Sequence, residues 1–127
     1  MLRIIIADDH PVLMQAVKSS LQEEFPFAFF EEAADTDSLL ELVFNQHWDL
    51  VISDLAMPGG GGFMALKKIK QFKKNIPVLI ISTYPAEQYR ASAIKAGAED
   101  FICKDSFPGE LIVAVRGILD KQKRKGQ

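Results

Sequence analysis

The chain has 127 residues, a formal net charge of −2, 48% hydrophobic and 25% charged residues, and one cysteine. That length suits one compact domain, the hydrophobic content excludes a disordered scaffold, the lone Cys103 excludes an internal disulfide, and the acidic balance argues against broad nucleic-acid affinity. No apolar run approaches the ~20 residues of a membrane span, and Met1-Leu2-Arg3 leads straight into a strand-like segment, so the expectation is a soluble cytoplasmic domain without signal peptide or membrane contact.

Leu2–Ala7 opens the chain as an unbroken apolar run, the mark of a strand covered on both faces. Pro11 stands where a first-turn proline belongs, with Asp9 and His10 as capping candidates, and Leu13, Val17 and Leu21 form one stripe of a helix ending near Glu24. Phe27–Ala33, aromatic and then acidic, reads as an edge strand. Asp35, Thr36 and Asp37 offer caps for a second helix through about Gln46, with Leu39, Leu40 and Val43 inward. Leu50–Ser53 is the third strand. Gly59–Gly62 opens a third helix whose Phe63, Leu66, Ile69 and Phe72 step by three, the opening glycines predicting a loose loop beside Met57-Pro58. Pro77 introduces the strand Val78–Ser82, Pro85 the helix that stops at Gly97, and Asp100–Cys103 is the fifth strand. Pro108 starts a last helix facing inward through Leu111, Ile112, Val115, Ile118 and Leu119.

Strict β-α alternation implies a doubly wound α/β domain: a parallel sheet of five strands, five helices on its two faces, and right-handed crossovers. A flavodoxin-like strand order, 2-1-3-4-5, is the economical topology. Residues 1–121 form this domain. Residues 122–127 read as a basic tail or the start of an interdomain linker.

Ligands of such sheets bind beyond the carboxyl ends of the strands. Those ends carry Asp8-Asp9, Asp54, Ser82-Thr83 and Lys104, while Ala33-Ala34 is inert. Three unpaired carboxylates on one rim repel, each pair at 4 Å costing about 4 kcal/mol at an effective dielectric near 20. A raised pKa on one of them or a divalent cation must offset this. Hard oxygen donors with room for water suit Mg²⁺. The third carboxylate is then free to attack phosphorus, with Lys104 and Ser82 on the phosphoryl oxygens. The pattern points to phosphoryl transfer onto Asp54.

Over essentially its whole length the chain resembles the receiver domain of two-component response regulators. The matching motifs are Asp8-Asp9, Asp54-Leu-Ala-Met-Pro-Gly59, Ser82-Thr83 and Phe101-Ile-Cys-Lys104. The resemblance implies that Asp54 accepts phosphate from a sensor histidine kinase. It further implies that Asp8 and Asp9 hold Mg²⁺ with Asp54 and the backbone carbonyl of Ala56, and that Lys104 contacts the phosphate. Ser82 is then the switching hydroxyl, Thr83 shapes access beside it, and Phe101 turns inward as Ser82 moves. Such a domain is a regulatory phosphoacceptor, catalysing only its own phosphorylation and dephosphorylation. Ala7-Asp-Asp-His-Pro11, with a lysine not followed by proline, looks like the LuxR-type branch. That branch implies a helix-turn-helix output domain beyond Gln127, DNA binding through that domain alone, and room for a homodimer on phosphorylation. Asp105 replaces the usual proline, predicting a loop without a cis peptide, and only Gly62 of the glycine run matches a usual family position.

Three other readings compete. A stand-alone receiver would act by protein–protein interaction. An aspartyl-phosphate phosphohydrolase needs a second carboxylate two residues after its nucleophile, where this chain has Ala56. A flavin site fails because Asp8-Asp9 would repel the cofactor's phosphate. Among individual residues, His10 reads as a solvent-facing cap and His47 as a surface residue. Cys103 reads as a buried inert thiol, and Phe25, Phe27, Phe29 and Phe30 as packing.

Overall fold

Runs rich in Ile, Val and Leu become the strands β1 (Arg3–Ala7), β3 (Leu50–Asp54) and β4 (Val78–Ser82), joined by the aromatic and acidic β2 (Phe29–Ala33) and the short β5 (Asp100–Cys103), in a computed structural model that describes residues 1–125. They pair in parallel in the order β2-β1-β3-β4-β5, as the alternation predicted. Successive strand side chains point to opposite faces, so each strand feeds two cores. Ile5, Ala7, Val51, Val78, Ile80 and Phe101 pack against α2 (Thr36–Asn45), α3 (Gly61–Phe72) and α4 (Ala86–Lys95). Ile4, Ile6, Leu50, Ile52, Leu79, Ile81 and Ile102 pack against α1 (Pro11–Glu24) and α5 (Gly109–Lys125). Full burial of each of these Ile, Leu, Val and Phe side chains contributes about 1.5–3 kcal/mol.

Several sequence expectations shift. In α1 the buried residue at the head of the stripe is Met14, with Leu13 only half-buried. The second strand begins at Phe29, because Phe27 sits in a turn and is 91% exposed. In α3 the buried positions are Gly62, Ala65, Leu66 and Ile69. Phe72 is 64% exposed and meets Phe44 of α2 edge-on at 6.0 Å. Cys103 is a half-buried free thiol. The segment after Lys104 contains a cis Phe107–Pro108 peptide, contrary to the expectation from Asp105. Helix α5 passes residue 121 without a break and runs to Lys125; the remaining residues of the expected tail, 126 and 127, lie outside the described residues.

The attachment of α4 is thin. Only Ala93 of this helix is buried. Its Arg90 reaches β5 from above, donating from Nη1 to the Phe101 carbonyl at 2.9 Å and pairing through Nη2 with Asp100 at 2.8 Å. No helix among the described residues is long and apolar enough to cross a membrane.

Candidate functional site

The carboxyl end of β1 hands the chain to Asp8, whose N–H donates to the Ala33 carbonyl at 3.0 Å and so fixes it between β1 and β2. Its carboxylate is buried and fully engaged. Oδ1 accepts the His10 N–H at 2.9 Å, and Oδ2 accepts Lys104 Nζ at 2.9 Å. Asp54 closes β3, and the next N–H, of Leu55, donates to the Ile81 carbonyl at 2.9 Å, tying the strand end to β4. Lys104 begins a short 3₁₀ turn after β5 and is buried. Its Nζ lies 3.3 Å from Asp54 Oδ1. Residues from three strand ends thus meet at one ammonium.

The three carboxylates are therefore not unpaired, as the sequence had suggested, because Lys104 bridges two of them. Asp54 nonetheless holds its proton more tightly than an ordinary carboxyl. Burial is the main cause; Lys104 opposes it, Asp8 adds to it, and the Ala56 N–H bond opposes it again. Asp9 stands further out, a third of its side chain exposed.

Ser82 ends β4 fully buried, and its Oγ accepts the Tyr84 N–H at 2.8 Å, shaping the turn into α4. Thr83 beside it is exposed. Phe101 already lies inside, 1% exposed, in the core under α2, α3 and α4.

The glycine run is tied down rather than loose. Gly59, Gly60 and Gly61 take φ of 90°, 119° and 80°, values that other residues rarely adopt. The Gly62 N–H donates to the Leu55 carbonyl at 2.8 Å, the Thr36 N–H to the Pro58 carbonyl at 3.0 Å, and Thr36 Oγ1 to the Gly61 carbonyl at 3.3 Å. At Gly62 a Cβ would fall 2.3 Å from the Asp54 carbonyl oxygen. Only hydrogen fits there.

His10 faces solvent as expected, 63% exposed, but the capping role read from the sequence is not the one its side chain takes. It occupies the N-cap position of α1, but its side chain makes no capping bond. Its Nδ1 lies instead 3.0 Å from Asp8 Oδ1, 3.2 Å from Asp9 Oδ1 and 3.9 Å from Asp54 Oδ2. One ligand atom from each of Asp8, Asp9, His10 and Asp54 lies within 4.8 Å of the others. The only sequence signal was its position directly after Asp8-Asp9. His47 matches its reading, mostly exposed and 3.4 Å from Asp49. The site itself is an open rim: grooves of about 690 and 740 Å³ open at Phe44–Phe72 and at Leu2–Trp48–Leu119, and no site residue lines either.

Carboxylate oxygens clustered at an accessible rim fit a hard divalent cation that keeps part of its water shell, the behaviour of Mg²⁺. The comparisons with known proteins agree with this architecture. Residues 4–116 match the response regulator receiver domain. The chain belongs to that family. This receiver domain is 38% identical over 122 residues to the glycerol metabolism activator of Pseudomonas putida, covering 94% of the chain and 55% of the relative. A LuxR-family two-component response regulator from Aurantimonas sp. SI85-9A1 superposes with a TM-score of 0.86 at 32% identity, over 94% of this chain and 85% of that one. The response regulator TrrA of Thermotoga maritima, solved in complex with Mg²⁺ and BeF, superposes with a TM-score of 0.84 at 30% identity, over 94% of this chain and all of that one. The receiver spans about half the length of the curated relatives it matches.

Proposed function

We propose that this receiver domain is a signalling switch set by phosphorylation of Asp54. The observation that carries the reading is a buried carboxylate at the end of β3 with Lys104 Nζ 3.3 Å from Oδ1 and Asp8 on the same ammonium. In this reading an Asp54 oxygen attacks the phosphorus of a kinase phosphohistidine. The new P–O bond forms as the donor's P–N bond breaks, and the departing imidazole keeps the electron pair and takes a proton. Asp8, Asp9, Asp54 and the Ala56 carbonyl would hold a Mg²⁺, which neutralises charge on the phosphoryl oxygens. Lys104 swings from its two carboxylates to a phosphoryl oxygen, a shorter and stronger charge-assisted contact. Ser82 trades its bond from the Tyr84 N–H for one to the phosphoryl group, which frees the turn into α4. Phe101, buried beneath α4, would repack with that turn and carry the change to the distal face.

The role is regulatory: the domain acts catalytically only on its own aspartate. The names of its relatives, an activator and a LuxR-family regulator among them, support control of transcription, a role that would place the protein in the cytoplasm. A sensor histidine kinase would be the input, and a helix-turn-helix domain elsewhere in the full protein the DNA-binding output. Incubation with Mg²⁺ and acetyl phosphate, followed by intact-mass measurement, tests the central claim. One phosphoryl mass is expected, stable in acid, lost in alkali and absent from Asp54→Asn. Modification persisting in Asp54→Asn would overturn the assignment.

A further inference from the structure

We propose that His10 is a nitrogen ligand of the rim's cation site and determines which divalent ions it prefers; the inference rests on the reading of that rim as a cation site. Three features carry it. First, Nδ1 faces oxygens of three different carboxylates, at 3.0, 3.2 and 3.9 Å. Neighbouring donors about 2.1 Å from one octahedral ion stand roughly 3.0 Å apart, so these atoms, with Nδ1 now hydrogen-bonded to Asp8 Oδ1, need move little to share one ion.

Second, the backbone is committed to this placement. The His10 N–H is held by Asp8 Oδ1 at 2.9 Å, and Pro11 begins α1 directly after it. Third, the ring is 63% exposed and makes no helix-capping bond; what orients it is its Nδ1, at hydrogen-bonding distance from Asp8 Oδ1 and turned into the rim. His47, the chain's other histidine, offers a contrast: it faces Asp49 at 3.4 Å, and among the described residues no cluster of acidic groups surrounds it.

An all-oxygen site suits Mg²⁺, whereas imidazole nitrogen favours ions later in the first transition row. His10 therefore makes this receiver's rim a mixed nitrogen–oxygen site. It raises the affinity for Ni²⁺, Co²⁺ and Zn²⁺ relative to Mg²⁺, and an ion so held draws on an oxygen of Asp54.

The bland reading is a histidine side chain plugging an acidic rim, which any cation must displace. Calorimetric titration with Mg²⁺ and with Ni²⁺ separates the two, using the full chain without a histidine tag and in a His47→Ala background that leaves His10 as the sole imidazole. His10→Ala is expected to lower Ni²⁺ affinity by at least about tenfold more than Mg²⁺ affinity, and to shift the ligand-field absorption of bound Co²⁺. An unchanged Ni²⁺ to Mg²⁺ ratio, or tighter Ni²⁺ binding, overturns the inference. Asp9→Asn distinguishes its failure from that of the underlying reading. If Mg²⁺ does not bind, or binds as well without Asp9, the cation-site reading falls and takes this inference with it. If Asp9-dependent Mg²⁺ binding persists while the ratio is unmoved, only the role of His10 falls.

Discussion

Lys104 and Asp8, 96 positions apart in sequence, meet at 2.9 Å from Nζ to Oδ2 with both side chains buried. The same Nζ is 3.3 Å from Asp54 Oδ1, so one ammonium compensates two carboxylates at the ends of different strands. Removing one partner of a buried ion pair leaves uncompensated charge and costs far more than the pair's net worth. Lys104→Met is expected to lower the metal-free stability at neutral pH by about 3 kcal/mol. Saturating Mg²⁺ should recover part of that loss, because a bound cation replaces the missing charge. Urea unfolding with and without Mg²⁺ checks both; a loss that Mg²⁺ leaves untouched would count against the cation site.

Asp54 supplies the pH dependence. Burial raises its pKa above the ordinary 3.8. A carboxyl whose folded-state pKa is raised favours the folded state while protonated, and that contribution fades as pH climbs from the unfolded value through the folded one. Asp54→Asn should therefore unfold at a higher temperature than the wild type at neutral pH without metal. The difference should shrink as pH falls through the raised pKa and vanish below about 3.8. Melting curves across that range read it directly, and an advantage constant with pH would refute it.

Much of this was legible from residues alone. Consecutive Ile, Val and Leu mark β1, β3 and β4 as strands covered on both faces, and in a parallel sheet the carboxyl ends of all the strands lie at the same rim; Asp8, Asp54, Ser82 and Lys104 follow from that rule. What the sequence could not supply was rotameric and terminal detail. His10 looked like a cap because Asp-His-Pro is a helix-start pattern, and nothing in the pattern specifies where an exposed ring turns. Phe72 fits the helical stripe of α3, yet the last turn has run past the sheet and leaves the ring on Phe44. The pairing of Lys104 with Asp8 as well as Asp54 depends on how far a four-carbon stem reaches, which strand order alone does not say.

Two glycines in helices should respond in opposite directions to alanine. At Gly62 the added Cβ meets the Asp54 carbonyl oxygen at 2.3 Å and the Leu55 Cα at 2.9 Å, both backbone atoms. Overpacking of this kind costs about 1–3 kcal/mol, and here it pushes on the residue that carries the chemistry. Gly117 in α5 is exposed, with nothing within 4 Å of its added Cβ. Gly117→Ala should gain about 1 kcal/mol in helix propensity. Denaturant midpoints of the two variants should bracket the wild type, and phosphorylation by acetyl phosphate should fall only in Gly62→Ala.

Ser82→Ala removes the acceptor of the Tyr84 N–H, a bond of 2.8 Å. The expected loss is about 1 kcal/mol of stability. Tyr84 and Tyr89, whose ring centres are 5.4 Å apart, should show the change in their aromatic resonances. With a phosphate mimic bound, the amide of Phe101 should shift less in this variant than in the wild type. Equal shifts would disconnect Ser82 from the distal face.

The thin attachment of α4 gives the domain an uneven resistance to opening. A helix with one buried residue and an arginine clamp to β5 can lift away with little apolar surface exposed, while α1, α3 and α5 cannot. Local opening follows the apolar contact that must be given up. In hydrogen–deuterium exchange α4 should accordingly lose amide protection before those three helices. The segment bearing Arg90 would then act as a hinged leaf, its latch on the backbone of Phe101 and its pivot in the turn that Ser82 shapes. A perturbation at the rim needs to shift only that pivot for the outer surface of the leaf to change.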